Sequence, residues 1–218
     1  VVLQGAGRHF SVGGNPYAKR RTTANTPFGF VIGLRELYDG FLQLRTLPLL
    51  TTCAVHGTVV GGGVAGCLHA DYISADHASV FEHGNLVRGV CVIGMLSQTF
   101  GLALGPHAQH VYLQNTQLDA SSALSLGMIH MLKAGIEATK SHAHKVARSV
   151  GSNAGAMGSI CGIRTAIDTA VLASEAVGHV ECQLLCGEFV KSGVVSHTSA
   201  LDGNVVARPL TLLNGAID

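Results

Sequence analysis

The chain has 218 residues, a length that suits one domain of ordinary size. Charged residues make up 12% and hydrophobic residues 47%, so extensive burial is expected, part of it against copies of the same chain. The formal net charge of +1 offers no global attraction to nucleic acid or an acidic membrane, and the absence of Trp removes a stacking platform for bases or sugars.

The apolar stretches are broken by Gly, His or Asp before they reach the ~18 residues a membrane helix needs, so no membrane span is expected. The 12 histidines are scattered, with no H-x-x-x-H pair beside a third ligand, so no metal or bound cofactor is expected. The six cysteines, at 53, 67, 91, 161, 182 and 186, form no C-x-x-C pair. They read as small hydrophobes in the cytoplasm or another reducing intracellular compartment. No basic stretch precedes an apolar run at the start, so no signal peptide is expected.

In chain order, residues 1–4 read as a buried strand. So apolar an element seldom begins a domain unpartnered, which suggests a piece excised from a longer protein. Gly5-Ala6-Gly7 turns that strand into a loop ending at Gly13-Gly14-Asn15-Pro16, and the basic, Thr-rich stretch 17–27 reads as surface loop. Apolar residues at three- and four-residue spacing (Phe30, Val31, Leu34, Leu37, Phe41, Leu42) predict a helix over 28–44. A strand over 49–55 closes at His56-Gly57, and Gly61-Gly62-Gly63 opens a helix running to about 69. Strands are expected at 71–74 and 79–81.

Beyond Phe81 glycines at 84, 89 and 94 mark loop. Helices are predicted over 96–104 and 107–113. Asp119 with Ser121-Ser122 is an N-cap signal for a short helix through 126. Further helices are expected over 136–150, 158–177 and 180–190. Strand and helix alternate early and helices dominate late, so the fold class is α/β. One domain covers 1–218, with a core to about 135 and C-terminal helices from about 136.

The informative motif is a strand, then H-G-x-x-x-G-G-G, then a helix. Glycines at a helix start bring bare N–H groups close to a ligand at the positive end of the helix dipole, which suits phosphate or an oxyanion. Close packing of helix on strand would use the same residues. Gly63 is followed by Val64-Ala65, not Lys-Ser/Thr, so this is no P-loop, and G-x-G-x-x-G is absent too. A second loop, His9-Phe10-Ser11-Val12-Gly13-Gly14-Asn15, also follows a strand and ends in adjacent glycines. Two amides converging from separate loops are the minimum for an oxyanion hole.

Together, V-V-L-x-G-A-G-x-x-F-S-x-G and A-V-H-G-x-x-x-G-G-G-x-x-x-x-x-x-A-D resemble the enoyl-CoA hydratase/isomerase (crotonase) family. Gly89 and the stretch 113–128, with Leu118-Asp119-Ala120, Ala123 and Leu126-Gly127-Met128, extend the match over almost the whole chain. The resemblance implies a ββα spiral core, a helical C-terminal trimerisation region, and N-terminal strands missing from this sequence. It implies a homotrimer or dimer of trimers, and a substrate acyl group carried on coenzyme A or the phosphopantetheine of an acyl carrier protein. It also assigns the oxyanion N–H groups to Gly14 and Gly62, with Gly61 in the substrate-binding turn.

The family's acids do not carry over. The two glutamates of the hydratases fall at Ala65 and Asn85, and neither residue can deprotonate water. Glu82 is close but three residues off register, and in a strand it faces the other way. The resemblance then points to glutamate-lacking members of polyketide β-branching cassettes, which decarboxylate an acyl thioester and need only enolate stabilisation. In that group a Tyr and a Lys follow the first oxyanion residue. Tyr17, Lys19, Arg20 and Arg21 occupy the region here at different spacing, to bind a carboxylate, CoA phosphates or an acidic carrier protein. His83 lies two residues before Asn85, so both side chains share a face in extended chain and could hold a carboxylate or protonate an enolate. His9 and Val12 adjoin the first loop as substrate-lining candidates. His56 and Asp71 read as structural. Two other readings stay open: a thioester-binding scaffold without catalysis, and a hydratase or dehydratase using Glu82.

Overall fold

The computed structural model describes residues 1–14, 27–84, 96–152, 155 and 158–161. Four parallel strands form the larger sheet: β1 (Val2–Gln4), β2 (Thr52–Val55), β4 (Tyr72–Asp76) and β7 (Met131–Lys133), in the order β1-β2-β4-β7. All four residues of β2 are buried, since neighbours flank it on both edges and a helix covers it. A parallel strand covered in this way needs no polar face. The covering helix is α6 (Ile136–Gly151), which packs on β2 and β4 through its buried Thr139 and Ala143. Asp76 accepts the Gly135 N–H at 2.9 Å and so pins the turn from β7 into α6.

The smaller sheet holds β3 (Thr58–Val60), β5 (Val80–Glu82) and β6 (Leu118–Asp119). β3 and β5 run parallel, and β6 is antiparallel to β5. Helix α2 (Gly62–Leu68) packs against α1 (Pro27–Thr46), α3 (Leu96–Leu104) and β3. A 3₁₀ turn (Gly105–His107) joins α3 to α4 (Ala108–Leu113). Asp119 caps α5 (Ala120–Ser125) by accepting the Ser122 N–H at 2.7 Å.

One contiguous core joins both sheets to the helices: Val55 and Ile73 from the larger, Val59 and Phe81 from the smaller, with Val64, Phe100 and Leu104 from the helices. Cys53 and Cys67 meet inside it, both fully buried, where desolvation and then the Cys53 thiol push the Cys67 thiol up. They pack as the small hydrophobes the sequence suggested. Among the described residues no helix is long and apolar enough to cross a membrane.

Most predicted elements are present, with three differences. The 49–55 strand starts at Thr52, because Leu49 lies exposed outside the sheet. The x-x-x of H-G-x-x-x-G-G-G is a strand and not a loop. Two short pairing strands, β6 and β7, carry no run long enough to read from the sequence. The helices expected over 158–177 and 180–190 lie outside the described residues apart from 158–161, which are helical.

Candidate active site

The first glycine loop is fastened along the β2–β3 connection residue by residue. The His56 ring is buried with Nε2 2.9 Å from the Gly7 carbonyl oxygen, and the His56 carbonyl accepts the Phe10 N–H at 2.8 Å. The Thr58 N–H donates to His9 Nδ1 at 3.0 Å. Ser11 donates its N–H to Thr58 at 3.4 Å and accepts the Val60 N–H at 2.9 Å. Gly57, at φ 61°, lies where a Cβ would sit 2.5 Å from the Arg8 carbonyl oxygen, so only glycine allows this contact.

These bonds make Ser11 a parallel bridge partner of Val59, so the loop continues the smaller sheet beyond β3. Gly14 and Gly62 each lie three residues beyond a member of that bridge, Gly14 at the end of the loop and Gly62 at the start of α2. Each of these glycines follows another with positive φ, Gly13 at 89° and Gly61 at 55°, so the chain turns just before each amide. Adjacent strands lie about 4.8 Å apart. Two N–H groups at neighbouring strand ends can therefore share one oxygen. Gly62 opens α2, whose first N–H groups have no intrahelical acceptor, and no side chain caps that end. Among the described residues no protein acceptor takes the Gly14 or Gly62 N–H.

Gly63 closes the arrangement. A Cβ there would lie 2.6 Å from Ser11 Cβ and 2.8 Å from Ser11 Oγ. The glycine triplet thus divides its work: Gly61 turns the strand, Gly62 presents its amide, and Gly63 lets the helix touch the opposite loop. The packing reading of these residues holds at Gly63, and the anion-cradle reading concerns the Gly62 amide.

Around this point the acid positions are empty or out of view. Ala65 is fully buried within the core. Asn85, Tyr17, Lys19, Arg20 and Arg21 lie outside the described residues. Glu82 turns away: its carboxylate accepts Gln117 Nε2 at 3.0 Å and Asn115 Nδ2 at 3.5 Å. Asp71 accepts the N–H and hydroxyl of Thr51 at 2.7 and 2.8 Å, the structural role read from sequence. Val12 is 61% exposed beside Gly13, open to a ligand. His9 has its Nδ1 committed to the loop, a positioning task that its place in the sequence did not reveal.

His83 is the one titratable candidate that the described residues bring to the glycine turn. The parallel register pairs Val60 with Glu82, so His83 follows opposite Gly61, and the Gly61 N–H donates to the Glu82 carbonyl at 3.0 Å. The ring packs edge-on against Phe100 and Tyr112, each with centroids 4.9 Å away. Burial lowers its pKa to about 4, so the ring is neutral near pH 7.

Comparison with known proteins places the chain in a family. The family model for enoyl-CoA hydratase/isomerase matches residues 1–180, and the chain belongs to that family. The protein named "Probable enoyl-CoA hydratase EchA14" of Mycobacterium tuberculosis is 31% identical over 139 residues, covering 61% of this chain and 51% of its own length. A second from that organism, "Probable enoyl-CoA hydratase EchA12", is 29% identical over 138 residues, covering 59% and 47%. The chain thus spans about half the length of these relatives. An enoyl-CoA hydratase/isomerase structure from Xanthobacter autotrophicus Py2 superposes with TM-score 0.76 at 21% identity, covering 95% of this chain and 79% of that one. A "probable enoyl-CoA hydratase" structure from Mycobacterium thermoresistibile gives 0.74 at 17%, covering 89% and 78%. The α/β crotonase-type fold is therefore shared with them.

Proposed function

We propose that this chain is an acyl-thioester enzyme that stabilises an enolate between the Gly14 and Gly62 amides, and that its reaction is a decarboxylation. One observation supports the reading: the loop that leads to Gly14 is bridged to the strand that leads to Gly62, while Ala65, at a hydratase acid's position, is sealed in the core. The thioester carbonyl oxygen accepts both N–H groups. As the C–CO₂⁻ bond breaks, its electron pair flows toward that oxygen, and the fixed amides meet the growing charge. One such donor is worth about 100- to 1,000-fold in rate. No base is needed to start the reaction, because the substrate breaks its own bond.

The substrate class is a β-carboxyl or vinylogous acyl thioester on coenzyme A or the phosphopantetheine of an acyl carrier protein. Incubation with a glutaconyl thioester on each carrier, followed by mass spectrometry, tests the reading. Loss of CO₂ from one of them is expected, and no turnover on either overturns it. The names of the relatives favour a second reading, hydration of an enoyl thioester with Glu82 as acid. Against it stands the carboxylate's engagement with Gln117 and Asn115. A third is a thioester-binding scaffold without catalysis, which the missing acid at Ala65 allows; it predicts binding of acyl-CoA with no turnover.

A further inference from the structure

We propose that His83 takes up a proton when a substrate carboxylate enters the site, holds that carboxylate as an imidazolium, and returns the proton to the enolate after CO₂ departs. This deepens the decarboxylase reading and rests on it. The starting observation is an unpartnered buried ring nitrogen across from the glycine turn, where the buried His56 and His69 rings do not stand. His83 is 4% exposed, and its Nδ1 is sealed from solvent with no hydrogen-bond partner. Buried polar atoms are almost always paired, so an orphan across from the Gly61 turn points to a ligand that completes it.

Its surroundings explain why the ring starts neutral. Phe100 of α3 and Tyr112 of α4 flank it, and Phe81 precedes it on the inward face of β5. Tyr112 is the titratable group among these contacts. Glu82, the nearest carboxylate in sequence, is directed at Gln117 and Asn115. Burial is what lowers the pKa, and among the described residues no neighbouring charge contributes. A carboxylate arriving at contact distance would supply the missing partner. A unit charge near 4 Å at a partly screened site favours the imidazolium by about a thousandfold. That is enough to move a ring at about 4 into the neutral range.

The step balances. Substrate binding draws one proton from solvent onto His83. The C–CO₂⁻ bond then breaks, CO₂ leaves, and the bonding pair forms the enolate held by Gly14 and Gly62. With the carboxylate gone, the imidazolium is again an isolated buried cation and a strong acid. Its N–H proton moves to an enolate carbon, a C–H bond forms, and His83 ends neutral. The β3–β5 register sets His83 opposite Gly61, the residue before Gly62, so the acid stands next to one of the two amides.

The test uses glutaryl thioester, the saturated analogue of the glutaconyl group, which carries the same carboxylate and cannot decarboxylate. Calorimetry at pH 6, where the free ring is neutral and the shifted one charged, in two buffers of different ionisation enthalpy counts protons taken up on binding. Near one proton per site is expected for glutaryl-CoA, and none for neutral pentanoyl-CoA. His83→Gln is expected to bind glutaryl-CoA without uptake and to decarboxylate glutaconyl-CoA at least about 100-fold more slowly. If that variant fails to fold, ¹⁵N-histidine NMR of the wild-type chain reports the His83 proton directly, with and without glutaryl-CoA. Binding without proton uptake, or uptake that survives in His83→Gln, overturns the proposal and leaves the decarboxylase reading standing. Failure of any glutaconyl carrier to turn over removes the decarboxylase reading and this proposal with it.

Discussion

Replacing Gly63 by Ala adds one methyl group at the tightest contact of the site. The new Cβ would meet Ser11 Cβ at 2.6 Å, Ser11 Oγ at 2.8 Å and the Ser11 carbonyl oxygen at 3.1 Å. Carbon atoms in contact rest about 3.5–4.0 Å apart, so the first turn of α2 and the Ser11 loop must separate by about 1 Å. Ser11 is bonded into β3 on both sides, so the relief falls on the relation between the loop end at Gly14 and the helix start at Gly62. A misplacement of about 1 Å costs about 100-fold in turnover, and overpacking of this kind costs about 1–3 kcal/mol in stability. Turnover of the thioester substrate and thermal melting read the two effects separately. Ser11→Gly removes both offending side-chain atoms, so the Ser11→Gly/Gly63→Ala double variant should regain at least about tenfold of the loss. Full activity in the single variant, or no rescue in the double, would refute the claim that this contact sets the amide spacing.

The remaining expectations are more local. The His83 pKa falls from its usual 6.5 to about 4 on folding, so the native state resists protonation. Its contribution is fully present above 6.5 and is lost as pH falls toward 4, about 3 kcal/mol in all, while His83→Phe should flatten that part of the stability profile in denaturant titrations. Asp71→Ala leaves the buried Thr51 N–H and hydroxyl without their acceptor and should cost about 1–3 kcal/mol in a melting experiment, with KM unchanged. Glu82→Gln should leave turnover as it is, since the carboxylate serves Gln117 and Asn115; loss of activity there would favour the hydration reading.

Much of the fold was legible because periodicity carries it. The 28–44 helix, the Asp119 cap and the β2 strand follow from spacing and cap chemistry, and the structure keeps them within a few residues. β3, β6 and β7 span two or three residues each, too short for any pattern, and exist because a neighbouring strand offers bonds. The glycine motifs mark the candidate site in the sequence, yet the division of labour within Gly61-Gly62-Gly63 depends on Ser11, some fifty residues earlier. His9 looked like a channel residue from its place beside the loop. Its bond to the Thr58 N–H depends on where the β2–β3 turn passes, which no local signal encodes. The burial of His83 between Phe100 and Tyr112 was equally hidden, since both partners come from helices well downstream.

The central claim is that the Gly14 and Gly62 amides polarise one thioester oxygen. Infrared difference spectroscopy of acetyl-CoA labelled with ¹³C at the thioester carbonyl, bound to the protein, tests it directly. The account predicts a carbonyl band shifted to lower frequency than in water. The shift should shrink when Gly62 is replaced by glycolic acid, which deletes that N–H and leaves the shape of the chain intact. A bound carbonyl at its solution frequency, or a shift indifferent to the missing amide, would contradict it.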